Sequence, residues 1–376
     1  METVGGGGGS DGAGAGDAVA GLLAAVQALV AEALASRSSR LVDLYRSLPT
    51  GDHDGMIASG EVVAGILPEN IEKNRYSNIC PYDARRVVLR RRCDDAASSS
   101  TDYINASHVE LPAVRAIASQ GPTHPQWHGP DTTGDFWAAV WEQGSEVVVA
   151  LAKVQAGFSG SARYWPEAAG QRMVATGWPE LSVTLLSEEN GPHFTTRRLQ
   201  LELSQAAAAG DADAAAPSSS SSATTREVTH FHYDRWPNYG VPEAPDDVAA
   251  LLRAVEEMES ARLARVSAEP ELDAAQPPPP VWVHCSGGVG RSGVFLTALS
   301  VYRSIFPTVP TGATPAAVPM ADGQAFAEAM VGRVAALRQQ RHPWMVEGDA
   351  QHVFAHEVVL RECAATAGVS LPSARR

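Results

Sequence analysis

An α/β fold is what the sequence predicts, and three observations carry that reading. Val281, Trp282 and Val283 form a short buried-strand signal, and beyond a glycine-rich loop the apolar repeat Leu296, Leu299, Tyr302 marks a helix. The continuous apolar run from Val147 to Leu151 reads as another buried strand, and Arg226 to Tyr233 alternates as a third. Val248, Leu251, Leu252, Val255 and Met258, and later Phe326, Met330, Val334 and Leu337, recur at helical spacing. At 376 residues the chain has room for one large domain or two ordinary ones.

The loop Cys285-Ser286-Gly287-Gly288-Val289-Gly290-Arg291-Ser292-Gly293 joins that first strand to a helix N-terminus. Free backbone N–H groups and the positive end of the macrodipole favour an anion there. Four glycines among the seven residues from 287 to 293 let consecutive amides turn inward around phosphate oxygens. A Cys285 thiol in such a nest has its pKa depressed and is a nucleophile for phosphorus. Arg291 supplies a planar fork for two phosphate oxygens, and Ser292 offers a hydroxyl to the sulfur. No Walker lysine follows the glycines, so a nucleotide-binding loop fits poorly.

Composition narrows the class further. A net charge of −14 argues against nucleic acid or an anionic membrane as the main partner, while a local nest with an arginine still accepts an anionic substrate. Cys80, Cys93, Cys285 and Cys363 show neither metal spacing nor a disulfide framework, so a reducing compartment is expected. The cytoplasm is the expected location, with the nucleus as the alternative. No window holds eighteen uninterrupted apolar residues, so no membrane span is expected. Met1 to Asp17 is glycine-rich and carries Glu2, Asp11 and Asp17 without an arginine, unlike a signal or transit peptide.

The Cys285 to Arg291 loop, with His284 and its strand-loop-helix setting, resembles the signature of the tyrosine-specific, cysteine-based protein tyrosine phosphatases. The resemblance covers roughly residues 55 to 360 and implies a single α/β domain with a twisted, mostly mixed central sheet flanked by helices. It also implies phosphotyrosine-containing proteins or peptides as partners, a two-step reaction through a cysteinyl-phosphate, and no metal or other cofactor.

In chain order, residues 1 to 17 are expected to be a disordered tail, with the domain spanning 18 to 365 and a second tail at 366 to 376. Leu22, Val26, Leu29 and Val30, then Leu41, Leu44 and Tyr45, mark helices that dock on the domain. Lys73 to Asp83 is similar to the family's phosphotyrosine-recognition loop, which implies that Tyr76 stacks on the substrate ring. Asn78 stands where many members have an aspartate that holds the substrate backbone. Arg85, Arg86, Arg90, Arg91 and Arg92 read as a solvated strand face. Asp102 to Ser107, Ser119 to Pro122, and Asp135-Phe136-Trp137 with Trp141-Glu142 follow in the family's order as structural positions. Gln155 and Gly160 stand where the family usually has a glutamate behind the loop arginine and a lysine at the site's mouth.

Low-complexity insertions are expected at 205 to 225, 267 to 280 and 306 to 323. Trp236-Pro237-Asn238-Tyr239-Gly240-Val241-Pro242 resembles the family's mobile acid loop, with Trp236 as hinge. Asn238 takes the place of the aspartate that protonates the leaving tyrosine oxygen, and a carboxamide is no such proton donor. Asp246 is expected to cap the helix that follows. Leu337 to Gln351 resembles the last family motif, with one extra residue between its halves. Glu347 holds the place of the glutamine that positions the hydrolytic water, and Gln351 keeps the second glutamine. The expectation is therefore a phosphatase slowed at position 238; the alternative is a phosphotyrosine-binding pseudophosphatase. Asp234 and Glu347 are the two carboxylates that could substitute for the missing acid.

Overall fold

The computed structural model describes residues 11–35, 39–90, 101–126, 129–155, 160–204, 223–237, 240–268, 278–306 and 322–371. Its strands are β1 (Arg86–Val88), β2 (Tyr103–Leu111), β3 (Val114–Ser119), β4 (Val147–Ala150), β5 (Arg172–Ala175), β6 (Trp178–Asn190), β7 (Thr195–Leu203), β8 (Thr224–His232) and β9 (Val281–His284). They form one mixed sheet in the order β1-β2-β3-β9-β4-β8-β7-β6-β5. β3, β9, β4 and β8 run parallel at its centre, and the outer ladders are antiparallel. Parallel strands are covered on both faces, which is why β4 and β9 read as unbroken apolar runs.

Strand pleating divides the core in two. Val281 and Val283 of β9 face one cluster with Phe295, Val334 and Phe354, while Trp282 faces the other with Phe136, Trp137 and Tyr164. The first cluster is roofed by α5 (Pro245–Ala268), α6 (Gly290–Ile305), α7 (Gly323–Gln340) and α8 (Gly348–Thr366). The second packs on α4 (Thr133–Glu142). α1 (Asp11–Ala35) and α2 (Arg40–Arg46) lie against α7 and α8 through Leu22, Val26, Val30, Leu41 and Tyr45, as their spacing predicts. A six-residue helix, α3 (His53–Ala58), and two 3₁₀ turns at Ala64–Ile66 and Ile71–Lys73 lead into the stretch that ends at Asp83.

Some boundaries differ from the sequence-based expectations. α1 begins at Asp11, inside the stretch expected to be disordered, because a helix anchored by its packed half propagates at one hydrogen bond per added residue. α5 begins at Pro245, so Asp246 lies in its first turn rather than at the cap; a proline at the first helical position has no amide to lose. Asp322 caps α7 by accepting from the Ala325 amide at 2.9 Å. α5 also runs on to Ala268, and the remaining insertions fall mostly outside the described residues, as do Arg91, Arg92, Cys93, Asn238 and Tyr239. Of the basic run, Arg86 pairs with Asp102 at 3.0 Å on a half-exposed strand face. Among the described residues no single helix is long and apolar enough to cross a membrane.

Candidate active site

β9 ends at His284 in the middle of the sheet, and α6 starts at Gly290, so the five residues between them form a tight loop. Its carbonyls are pinned outward one after another. The Gly121 amide donates to the Ser286 carbonyl at 2.9 Å. Arg341, fully buried, donates to the carbonyls of Gly287 at 3.1 Å and Gly288 at 3.3 Å. Each peptide plane carries its C=O and the next N–H on opposite sides, so pinning three carbonyls turns the Gly287, Gly288 and Val289 amides inward. The Gly288 amide accordingly meets the Cys285 sulfur at 3.2 Å.

Glycine is required at one of these positions. Gly288 has φ +72°, and a Cβ there would stand 2.2 Å from the Ser119 carbonyl oxygen. At Gly290 a Cβ would lie 2.8 Å from the Gln351 side-chain oxygen.

Cys285 is 3% exposed, and burial alone would raise its pKa. The charge of Arg291, the Ser292 hydroxyl and the Ser292 and Val289 amides outweigh that cost and bring the thiol below its ordinary value. Arg291 is itself held by donation to the Leu151 carbonyl at 3.0 Å, at the end of β4. Next to Cys285, burial keeps His284 neutral, its pKa lowered to about 3. Its Nδ1–H donates to the Cys285 carbonyl at 3.2 Å, which leaves Nε2 to accept from the Tyr164 hydroxyl at 2.6 Å. The Tyr164 oxygen in turn accepts from His230 at 2.7 Å.

A cleft of about 220 Å³ opens over the sulfur. Its floor is Cys285, Ser286, Gly287, Val289, Gly290 and Arg291; its walls include Tyr76, Asn78, Glu347 and Gln351. Gly288 and Ser292 are not among its lining residues. Tyr76, Asn78, Cys285, Ser286, Gly287, Val289, Gly290, Arg291, Glu347 and Gln351 are thus brought to one place, whereas Asp234 is not, and Asn238 lies outside the described residues. Tyr76 and Ser286 share a hydroxyl hydrogen bond of 2.9 Å, and a Cβ at Gly287 would sit 3.3 Å from the Tyr76 ring.

The wall carrying Glu347 is built from a distance. Val346 has φ +58°, and Tyr45 of α2 clamps the turn by donating to the Val346 carbonyl at 2.7 Å and accepting from the Gly348 amide at 2.9 Å. The Glu347 amide donates to the Gln351 side chain at 2.9 Å, and Glu347 precedes α8, at the positive end of its dipole. Asp234 is exposed beyond β8 and is not among the residues lining the cleft. Gly160 packs on Gln155, where a Cβ would come within 2.4 Å of Cγ, so a glycine there has a packing reason.

Sequence reasoning missed Arg341, Tyr45, Ile79 and Trp344. Ile79 and the exposed Trp344 also line the cleft. An arginine inside the last motif and the inserted residue next to Trp344 were the only local signals. Among the described residues no group of three or more His, Cys, Asp or Glu is placed to hold a metal ion.

Residues 70–361 match the family model described as Protein-tyrosine phosphatase. The chain is 33% identical over 326 residues to human receptor-type tyrosine-protein phosphatase H, covering 85% of this chain and 23% of that protein. It is 35% identical over 232 residues to rat tyrosine-protein phosphatase non-receptor type 2, covering 61% and 45% respectively. Against human tyrosine-protein phosphatase non-receptor type 4 it is 34% identical over 261 residues, covering 68% and 22%. The chain therefore spans less than half the length of these curated relatives.

Proposed function

The chain belongs to the protein-tyrosine phosphatase family, and from that premise we propose that it hydrolyses phosphotyrosine in proteins through a cysteinyl-phosphate on Cys285, at a rate held down by Asn238. The observation that carries this reading is the lowered Cys285 thiol facing an inward amide nest, with Arg291 beside it and Tyr76 on the wall. In the first step the Cys285 sulfur attacks phosphorus and the bond from phosphorus to the tyrosine oxygen breaks. The nest amides and the Arg291 fork take the charge that develops on the phosphoryl oxygens. Tyr76 packs against the phenyl ring and makes the cleft deep. In the second step water attacks phosphorus and the S–P bond breaks, with Gln351 and Glu347 orienting that water and the Glu347 carboxylate taking its proton. The first step lacks an acid: a tyrosinate leaves with a pKa near 10, and general acid catalysis is worth about 10²–10⁴. The thiol chemistry calls for a reducing compartment, which favours the cytoplasm.

Asn238 also favours a second reading, a phosphotyrosine binder that shields its partners, because the clamp survives when the proton donor is lost. Phosphate release from a phosphotyrosine peptide separates the two. The native chain is expected to turn over slowly, Asn238→Asp to gain on the order of 10²-fold, and Cys285→Ser to release nothing while still binding. Aryl phosphates with acidic leaving groups should be hydrolysed well by the native chain. No phosphate release from either substrate, with peptide binding intact, would establish the binder instead.

A further inference from the structure

Resting on the reading that phosphotyrosine enters this cleft, we propose that Trp344 and Glu347 form a subsite for a cationic side chain, arginine above all, flanking the phosphotyrosine of the substrate. Trp344 is one of the few large apolar side chains left exposed, at 39%, and it lines the cleft together with Glu347. Both are held from behind. The Trp344 amide donates to His342 Nδ1 at 3.2 Å, and the His342 ring meets the indole edge-on at 5.3 Å. Burial keeps that histidine neutral, its pKa lowered to about 3, so its Nε2–H donates to the Asn78 carbonyl at 3.1 Å. The segment bearing the indole is thereby tied to the stretch bearing Asn78. The Glu347 backbone is held by the Gln351 side chain and the Tyr45 clamp, which leaves its carboxylate exposed, and its neighbour Asp349 is taken up by Arg46 at 2.5 Å.

An indole face attracts a cation through its quadrupole, and a guanidinium adds planar stacking and a fork for a carboxylate. A carboxylate and an indole lining one cleft therefore suit arginine, leave leucine only the apolar face, and repel aspartate. The arrangement also orders the two steps. While the phosphopeptide is bound its cation occupies Glu347; when the dephosphorylated peptide leaves, the carboxylate is released to the water of the second step.

The test uses the full chain carrying Cys285→Ser and measures affinity by fluorescence polarisation for phosphotyrosine peptides that differ only in Arg, Leu or Asp on either side of the phosphotyrosine. The arginine peptide should bind about tenfold tighter than the aspartate peptide, with leucine between. Adding Trp344→Ala should bring that ratio below about twofold, Trp344→Phe should keep most of it, and Glu347→Gln should remove the gain of arginine over leucine. Equal affinities for the three peptides, or a Trp344→Ala variant that weakens all three by one common factor, would overturn the subsite and leave the phosphotyrosine reading standing. Phosphorylated and unphosphorylated peptides binding alike would overturn both.

Discussion

At the scale of single residues, the site depends on side chains that hold the backbone rather than the substrate. Arg341 spends its guanidinium on the Gly287 and Gly288 carbonyls and on Asn105 Oδ1, at 2.6 Å from the last. Arg341→Lys keeps a charge and loses the fork, so stability should fall by about 2–4 kcal/mol in denaturant unfolding. Competition by inorganic phosphate should weaken about tenfold or more in the same variant as the nest loosens. Ser292 helps bring the Cys285 thiol below its ordinary pKa through its hydroxyl and its amide. In Ser292→Ala the thiol pKa rises, so the rate of alkylation by iodoacetamide should need a higher pH to reach half its maximum. Cys285, Arg291 and the glycines were legible in the sequence because they are consecutive and their chemistry is local. Arg341 was not, since it meets the Gly288 carbonyl from 53 positions away and nothing near it in the chain names that partner.

Among elements, the long connections and the short α2 have opposite importance. β7 and β8 stay in register to their ends, with Leu203 opposite Thr224. Replacing residues 205–222 by a two-residue Asn-Gly turn should therefore leave the ladder intact and raise stability by about 1 kcal/mol through the shorter closure. Thermal unfolding of the shortened chain checks this, and a lower midpoint would show that the insertion is part of the packing. α2 is only seven residues long, yet Tyr45 holds the turn beneath Glu347. Tyr45→Phe should cost about 1–2 kcal/mol, and in burst kinetics it should slow breakdown of the phospho-enzyme more than its formation. Strands and helices were readable from apolar period, because each buries one face or two. Their ends were less so: Pro245 and Asp11 begin helices that periodicity alone places later.

For the whole molecule, the buried histidines set how it responds to acid. His284 and His342 have their pKa values lowered to about 3 and His356 to about 4, from an ordinary 6.5, all chiefly by burial. A base whose pKa is lower in the folded state binds its proton more readily when unfolded. Its contribution is present above pH 6.5 and is lost as pH falls toward the folded values. Each group forfeits about 1.4 kcal/mol per pH unit in that window, so the three together lose on the order of 4 kcal/mol by pH 5.5. Melting temperatures measured from pH 7.5 to pH 5 should fall steadily, and a flat profile would show that these rings are solvated. The fold class followed from the strand-loop-helix unit around Cys285, whereas the sheet order did not, because β9 enters between β3 and β4 only when the chain folds back on itself. That same folding back has a cost in time. The Tyr45 hydroxyl and the Val346 carbonyl are 301 positions apart, so at about 5–20 residues per second a ribosome makes the first some 15–60 s before the second. The turn that carries Glu347 therefore stays without its clamp until the segment bearing Val346 and Gly348 has left the exit tunnel.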